Sequence, residues 1–129
     1  MLWVKSLETG IEKIDDQHKQ LFEQLDILLD TENADRYVEV IDFLDEYLEG
    51  HCSDEQQLHK KAKYYKAEIH KQLHEEFLSA FRKMRDRYVK EGLTRENGTA
   101  IDKTLASWLR DHILIHDKAF SVYYNLTHI

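Results

Sequence analysis

His51-Cys52-Ser53-Asp54-Glu55 and, fifteen residues beyond that glutamate, His70-Lys71-Gln72-Leu73-His74 are the segments from which the fold can be read. Residues four apart lie one above the other on an α-helix, so each segment sets two potential metal ligands on one helical face. On antiparallel neighbouring helices the two pairs aim three imidazoles and a carboxylate at one volume. Imidazole is the commonest metal-binding side chain, and a mixed nitrogen and oxygen set suits borderline first-row ions. Further out, His18 lies early in the chain, and His112 and Asp117 lie late.

The flanking sequence is helical in period. Ile14, His18, Leu21, Phe22, Leu25, Leu28 and Leu29 predict a first helix over 15–30, capped by Asp15 or Asp16. Tyr37, Val40, Ile41, Leu44, Tyr47, Leu48, His51, Glu55 and Leu58 form the stripe of a second, 34–62, with Asn33 as its cap. Its outer face is acidic: Glu39, Asp42, Asp45, Glu46 and Glu49. The end of this helix carries neither glycine nor proline and is placed only by a change of face near residues 64–66. A third helix, 66–91, sets Leu73, Phe77, Phe81, Met84 and Tyr88 beside His70 and His74. Gly92 and Asn97-Gly98 punctuate the connection to a fourth, 99–117, which carries Ile101, Leu105, Trp108, Leu109, His112 and Ile113. An N-terminal arm (Leu2, Trp3, Val4, Leu7 and Ile11, turning at Gly10) and an aromatic tail from Ala119 onward are expected to pack on the helices. The expected fold is all-α, an up-down-up-down antiparallel four-helix bundle forming one domain over residues 1–129.

Composition narrows the partners. A net charge of −7 without an isolated basic block argues against nucleic acid, which demands a basic footprint. One cysteine precludes an internal disulfide and suits a reducing compartment. The first residues lack the apolar core of a secretory signal, and no run approaches the roughly 20 apolar residues that span a bilayer. A cytoplasmic protein is expected, with no membrane partner. The acidic outer faces favour a monomer.

His18, His51, Glu55, His70, His74 and His112 each fall on the apolar stripe of their own helix. Singly, each reads as a hydrogen-bonded core residue, since burying a polar group without a partner is costly. Six such coincidences point instead to a metal site, because packing would favour Leu or Ile at every one. Asp117 follows His112 by five residues, about 140° round a regular helix, so it joins the set only if the last turn tightens or unwinds. Five histidines and two carboxylates exceed the needs of one ion. Two six-coordinate ions sharing both carboxylates and a solvent oxygen as bridges would use them all. The Glu-x-x-His pattern of carboxylate-rich di-iron bundles is absent at the needed positions.

At these residues the chain resembles the hemerythrin family, specifically its bacterial single-domain members. Trp3, Gly10, Ile14-Asp15-Asp16-Gln17-His18, His51-x3-Glu55, His70-x3-His74-x2-Phe77 and Trp108-Leu109-x2-His112-Ile113-x3-Asp117 carry the resemblance, which spans nearly the whole chain. It implies two irons. His70, His74 and His112 would complete the shell of one, and His18 and His51 would bind the other, which keeps an open position. Glu55, Asp117 and a solvent oxo or hydroxo group would bridge them. It further implies reversible binding of O2 as a hydroperoxide at the open iron, and hence a carrier, store or scavenger and not an enzyme. The alternatives are a di-iron redox enzyme acting on peroxide or nitric oxide, and an oxygen or redox sensor acting through a partner.

Trp108, Leu109, Ile113 and Cys52 match the lining of the family's O2 pocket, with Leu25 and Leu28 as further candidates. Cys52 departs from the family, which commonly has phenylalanine there; it reads first as a small buried hydrophobe with local repacking, and otherwise as leaving volume or admitting water beside the open iron. Gln56 stands where a second glutamate is usual. His59 lies one turn beyond Glu55, where either a place behind the ligands or a half-exposed surface position is expected. His116 reads as structural and His128 as a tail residue.

Overall fold

A computed structural model describes residues 3–31, 33–92 and 94–127, without the side chains of residues 34 and 95–97. Leu2 and His128 therefore lie outside the described residues. A short 3-10 turn, Lys5–Leu7, precedes α1 (Glu12–Leu29), α2 (Ala34–Lys61), α3 (Ala67–Glu91) and α4 (Arg95–His112). After α4 a π-helical turn, Ile113–Asp117, runs directly into α5 (Lys118–Thr127). No strand occurs among the described residues, and no helix is long and apolar enough to cross a membrane. α1 packs on α2 and α4, and α3 packs on the same two. With connections this short each helix runs antiparallel to the one before it, which makes the all-α four-helix bundle.

The stripes named above make the core. Leu21, Phe22, Leu25 and Leu28 of α1 meet Val40, Ile41, Leu44 and Leu48 of α2, Phe77 and Phe81 of α3, and Ile101, Leu105 and Leu109 of α4. A second cluster at one end joins Ile14, Ala62, Tyr64 and Phe120. The tail packs on the bundle as expected, but as a helical continuation of α4 and not as a returning segment.

Four local expectations need correction. α1 begins at Glu12, not at Asp15, and its N-cap position is Ile11, with no side-chain cap. Asp15 sits one turn inside, where its carboxylate accepts from the Thr9 backbone N–H at 2.8 Å, the Thr9 hydroxyl at 2.7 Å and the Gly10 N–H at 3.0 Å. It thus ties the arm, which turns through positive φ at Gly10, to the helix. α4 starts at Arg95, so Asn97-Gly98 lies within its first turn and not in a loop. Asp45 is buried, because Arg82 and Arg85 of α3 donate to its carboxylate and pin α3 to α2.

The end of α2 is a Schellman motif built without glycine. The Tyr64 N–H donates to the His59 carbonyl at 2.9 Å, the Lys63 N–H to that of Lys60 at 3.2 Å, and Lys63 takes φ of 54°. The hydrophobic contact that accompanies the motif is the packing of the Tyr64 ring on His59, with centroids 5.1 Å apart. A non-glycine residue in the left-handed region costs about 1 kcal/mol or more. Lys63→Gly is therefore expected to raise the melting temperature by about 4 °C. A lower melting temperature in thermal denaturation would overturn this reading of the turn.

Candidate metal centre

All seven residues expected to bind metal converge between the helices, and every one is buried. α1 supplies His18, α2 supplies His51 and Glu55, α3 supplies His70 and His74, α4 supplies His112, and the π turn supplies Asp117. The π turn answers the 140° objection. Its Lys118 N–H bonds to the Ile113 carbonyl five residues back, so the helix widens and residues five apart share a face. Of the two changes the sequence allowed, the last turn unwinds and does not tighten.

Each carboxylate faces two ways. Glu55 Oε1 lies 2.7 Å from His70 Nε2 and 3.7 Å from His74 Nε2, while Glu55 Oε2 lies 3.4 Å from His51 Nε2. Asp117 Oδ1 lies 3.1 Å from His70 Nε2 and 3.2 Å from His112 Nε2, while Oδ2 lies 3.0 Å from His18 Nε2. The donors fall into two groups: His70, His74 and His112 with both carboxylates, and His18 and His51 with both carboxylates.

The Nε2 atoms of His70 and His112 approach to 2.8 Å, and those of His74 and His112 to 3.0 Å. One His112 nitrogen cannot be both donor and acceptor, so these inward lone pairs face one another without enough protons between them. Both nitrogens of His18 and all four carboxylate oxygens lack an aligned hydrogen-bond partner, although several lie within contact distance. An ion with bonds of about 2.1 Å holds neighbouring donors about 3.0 Å apart, which is the spacing observed. The donor set fits a pair of metal ions.

Comparison with known proteins agrees. The family model described as the hemerythrin HHE cation binding domain matches residues 9–121. The chain belongs to the hemerythrin family. It is 30% identical to a bacteriohemerythrin of Pseudomonas paraeruginosa over 123 residues, 93% of this chain and 78% of that protein. It is 28% identical to the bacteriohemerythrin of Clostridium acetobutylicum over 134 residues, 92% of this chain and 97% of that one. A myohemerythrin of Theromyzon tessulatum is 29% identical over 111 residues, 86% of this chain and 82% of its own length.

Two glutamines orient histidines of the cluster in this hemerythrin. His51 Nδ1 donates to Gln17 Oε1 at 2.6 Å, and Gln17 Nε2 in turn donates to Asp54 Oδ2 at 2.8 Å. His74 Nδ1 donates to Gln56 Oε1 at 3.1 Å. Fixing the proton on Nδ1 leaves the Nε2 lone pair pointing inward. Neither role was visible from the sequence, where Gln17 is only part of a motif and Gln56 only a departure from one. Trp108 is stacked between Phe77, with centroids 3.6 Å apart, and the His112 ring, at 4.4 Å. Leu109 and Ile113 are buried in the main core with Leu25 and Leu28, and Cys52 is buried beside His51 on α2.

His59 is not half-exposed. Its side chain is fully buried, enclosed by the rings of Tyr64, His70 and Phe120. The hydrophobic residues that cover it come from the loop after α2 and from α5, two elements whose placement the periodicity of α2 does not reveal. His116 stays partly exposed, its ring 5.4 Å from that of His112.

The buried charges are finely balanced. Burial and then the neighbouring Asp117 push the Glu55 carboxyl well above its usual range. Burial acts on Asp117 in the same direction, but the charge of His112 and the contacts from His112, His18 and His70 hold it well below. Burial would lower His70, yet its close contacts with the Asp117 and Glu55 carboxylates raise it to about 9. Glu55 and His70, 2.7 Å apart, are thus each pushed toward the protonated form while Asp117 stays ionised. Burial, then His18, lowers His51 to about 3, and burial, then His112 and His70, lowers His74 to about 2. Those two imidazoles are neutral near pH 7 and ready to donate to a metal.

Proposed function

We propose that this chain holds two irons and binds O2 reversibly, as a carrier, store or scavenger working in the cytoplasm as a monomer. The observation that carries the reading is the division of the carboxylate oxygens between two unequal groups of histidines. His70, His74 and His112, with Glu55 Oε1 and Asp117 Oδ1, would hold one ion. His18 and His51, with Glu55 Oε2 and Asp117 Oδ2, would hold the other. The second group has one donor fewer, which leaves a position for an exogenous ligand. When bound, the iron pair supplies two reversible one-electron couples, enough to take up and release O2 without an organic substrate.

The remaining chemistry is the protein's own. Gln17 and Gln56 fix the tautomers of His51 and His74, and Trp108, braced by Phe77, fixes the plane of His112. Leu109 and Ile113, buried in the core, would exclude water from the second group, with the smaller Cys52 side chain buried next to His51. Burial, reinforced by Glu55 and Asp117, pushes the Cys52 thiol far above its ordinary range, so it stays protonated and does not compete as a ligand. A lining of this kind offers no general acid, which favours binding over turnover. Iron fits this set, with O2 as the ligand.

Anaerobic reduction of iron-loaded protein, followed by optical spectra during O2 addition and removal, tests the reading. About two irons per chain and a visible charge-transfer band that reverses under vacuum are expected. Direct oxidation to a stable diferric spectrum would replace it with a second reading, reduction of peroxide or nitric oxide or redox sensing. That reading draws on a cavity of about 230 Å³ between α1 and α2, where Lys13, Gln17, Asp54 and Lys61 give Glu55 a polar approach. Within the O2-binding reading, Cys52→Phe refills volume beside the open position and should slow autoxidation severalfold. Equal autoxidation rates for the two proteins would show that Cys52 leaves no usable space.

A further inference from the structure

His59 is a buried side chain beside the centre to which the function above gives no role. Its side chain is wholly excluded from solvent, and neither ring nitrogen has a hydrogen-bond partner among the described residues. Imidazole carries at least one N–H in either protonation state, and leaving that donor unmade in a dry site is costly. If packing were the sole demand, leucine would serve better. His59 Nε2 lies 3.6 Å from Glu55 Oε1, too far for a hydrogen bond. His59 belongs to neither donor group, so it meets the carboxylate from outside instead of joining as another ligand. Its orientation is imposed from three sides. The Tyr64 N–H holds the His59 carbonyl, and the rings of Phe120 and His70 pack on its ring with centroids 4.2 and 4.5 Å away.

We propose that His59 Nε2–H donates a hydrogen bond to Glu55 Oε1 when the centre holds its metal ions, which makes His59 a positioning residue for the shared carboxylate. The proposal rests on the di-iron reading. His70 Nε2, which lies 2.7 Å from Oε1, could not donate to that oxygen while holding a metal ion, so Oε1 would have no donor from that side. His59 then supplies the replacement by closing from 3.6 Å to about 3.0 Å. Glu55 and His59 are four apart on one rigid helix, so a side-chain adjustment suffices. The bond fixes which oxygen faces the His70, His74 and His112 group. It also withdraws charge from that oxygen, which weakens its donation to a ferric ion and favours the reduced pair.

Stepwise Co2+ titration by visible absorption, metal-free melting temperature and the reduction potential of iron-loaded protein test this together. His59→Leu is expected to lose about 10–100-fold in metal affinity and to lower the potential. Its metal-free form is expected to melt higher, because two unpaired buried nitrogens are gone. A residue that only fills space would move affinity and melting temperature in the same direction. His59→Gln, whose amide N–H reaches about as far as Nε2, should restore most of the affinity. A readout without variants is the His59 Nε2–H itself, expected to exchange slowly in Zn2+-loaded, 15N-histidine-labelled protein and rapidly without metal. Unprotected His59 N–H in the loaded protein, or wild-type affinity in His59→Leu, would overturn the proposal while leaving the di-iron reading intact. Fewer than two ions bound by the wild type, one for each donor group, would overturn both.

Discussion

Acidifying the metal-free protein from pH 6.5 toward pH 3 is expected to unfold it cooperatively, while metal-loaded protein keeps its fold over most of that range. His51 and His59 are lowered from 6.5 to about 3, and His74 to about 2, each mainly by burial. Their folded values lie below the unfolded one. The stability tied to their neutral forms is therefore complete above pH 6.5 and lost as pH falls toward the folded values. Summed, the loss is several kcal/mol, comparable with the whole of a typical domain's about 5–15 kcal/mol. His70 acts in the other window: raised to about 9, its contribution is complete below 6.5 and lost as pH rises through 9. Metal-free protein should thus be most stable near neutrality. Metal ions occupy the nitrogens that protons would take, so the loaded protein resists until protons outcompete them. Far-UV circular dichroism of both forms across the pH range is the measurement, and superimposable curves would sink the expectation.

The fold was legible because the apolar stripes of α1, α2 and α3 are regular and the connections short. His18, His51, Glu55, His70, His74 and His112 were legible because polar residues on an apolar stripe are conspicuous. Asp117 was only half legible. A spacing of five matches no regular helical face, and the π turn that rescues it leaves no mark in composition or period. Lys63 hid the end of α2 for a similar reason: glycine is the usual signal of a left-handed residue, and the chain uses lysine. His59 and Gln56 were obscure because their partners come from other segments. A side chain covered by Phe120 of α5 cannot be told from a surface one on the evidence of α2 alone.

Glu55 and Asp117 look interchangeable in the sequence, yet removing their charges should have different effects. Glu55 is held well above the usual carboxylate range by burial and by Asp117, so the metal-free protein already keeps a proton there. Glu55→Gln replaces a protonated carboxyl by a near-isosteric amide, whose oxygen can keep the close contact with His70. Its metal-free stability should change by no more than about 1 kcal/mol. Asp117 stays ionised against burial because His112, His18 and His70 surround it. Asp117→Asn leaves the proton on His70 without its buried counter-charge, at a cost of about 3–5 kcal/mol. Both variants should lose metal, because two dications cannot share a dry site with a single carboxylate. The expected loss in affinity for the second ion exceeds about 100-fold, more than an outer partner of a ligand is worth. Denaturant unfolding of the metal-free variants, set beside Co2+ stoichiometry, separates the effects. Glu55→Gln should fold like wild type and fail to load, whereas Asp117→Asn should do neither. Equal destabilisation of both would mean that the proton lies elsewhere in the cluster, with Glu55 ionised and a second histidine charged to match it.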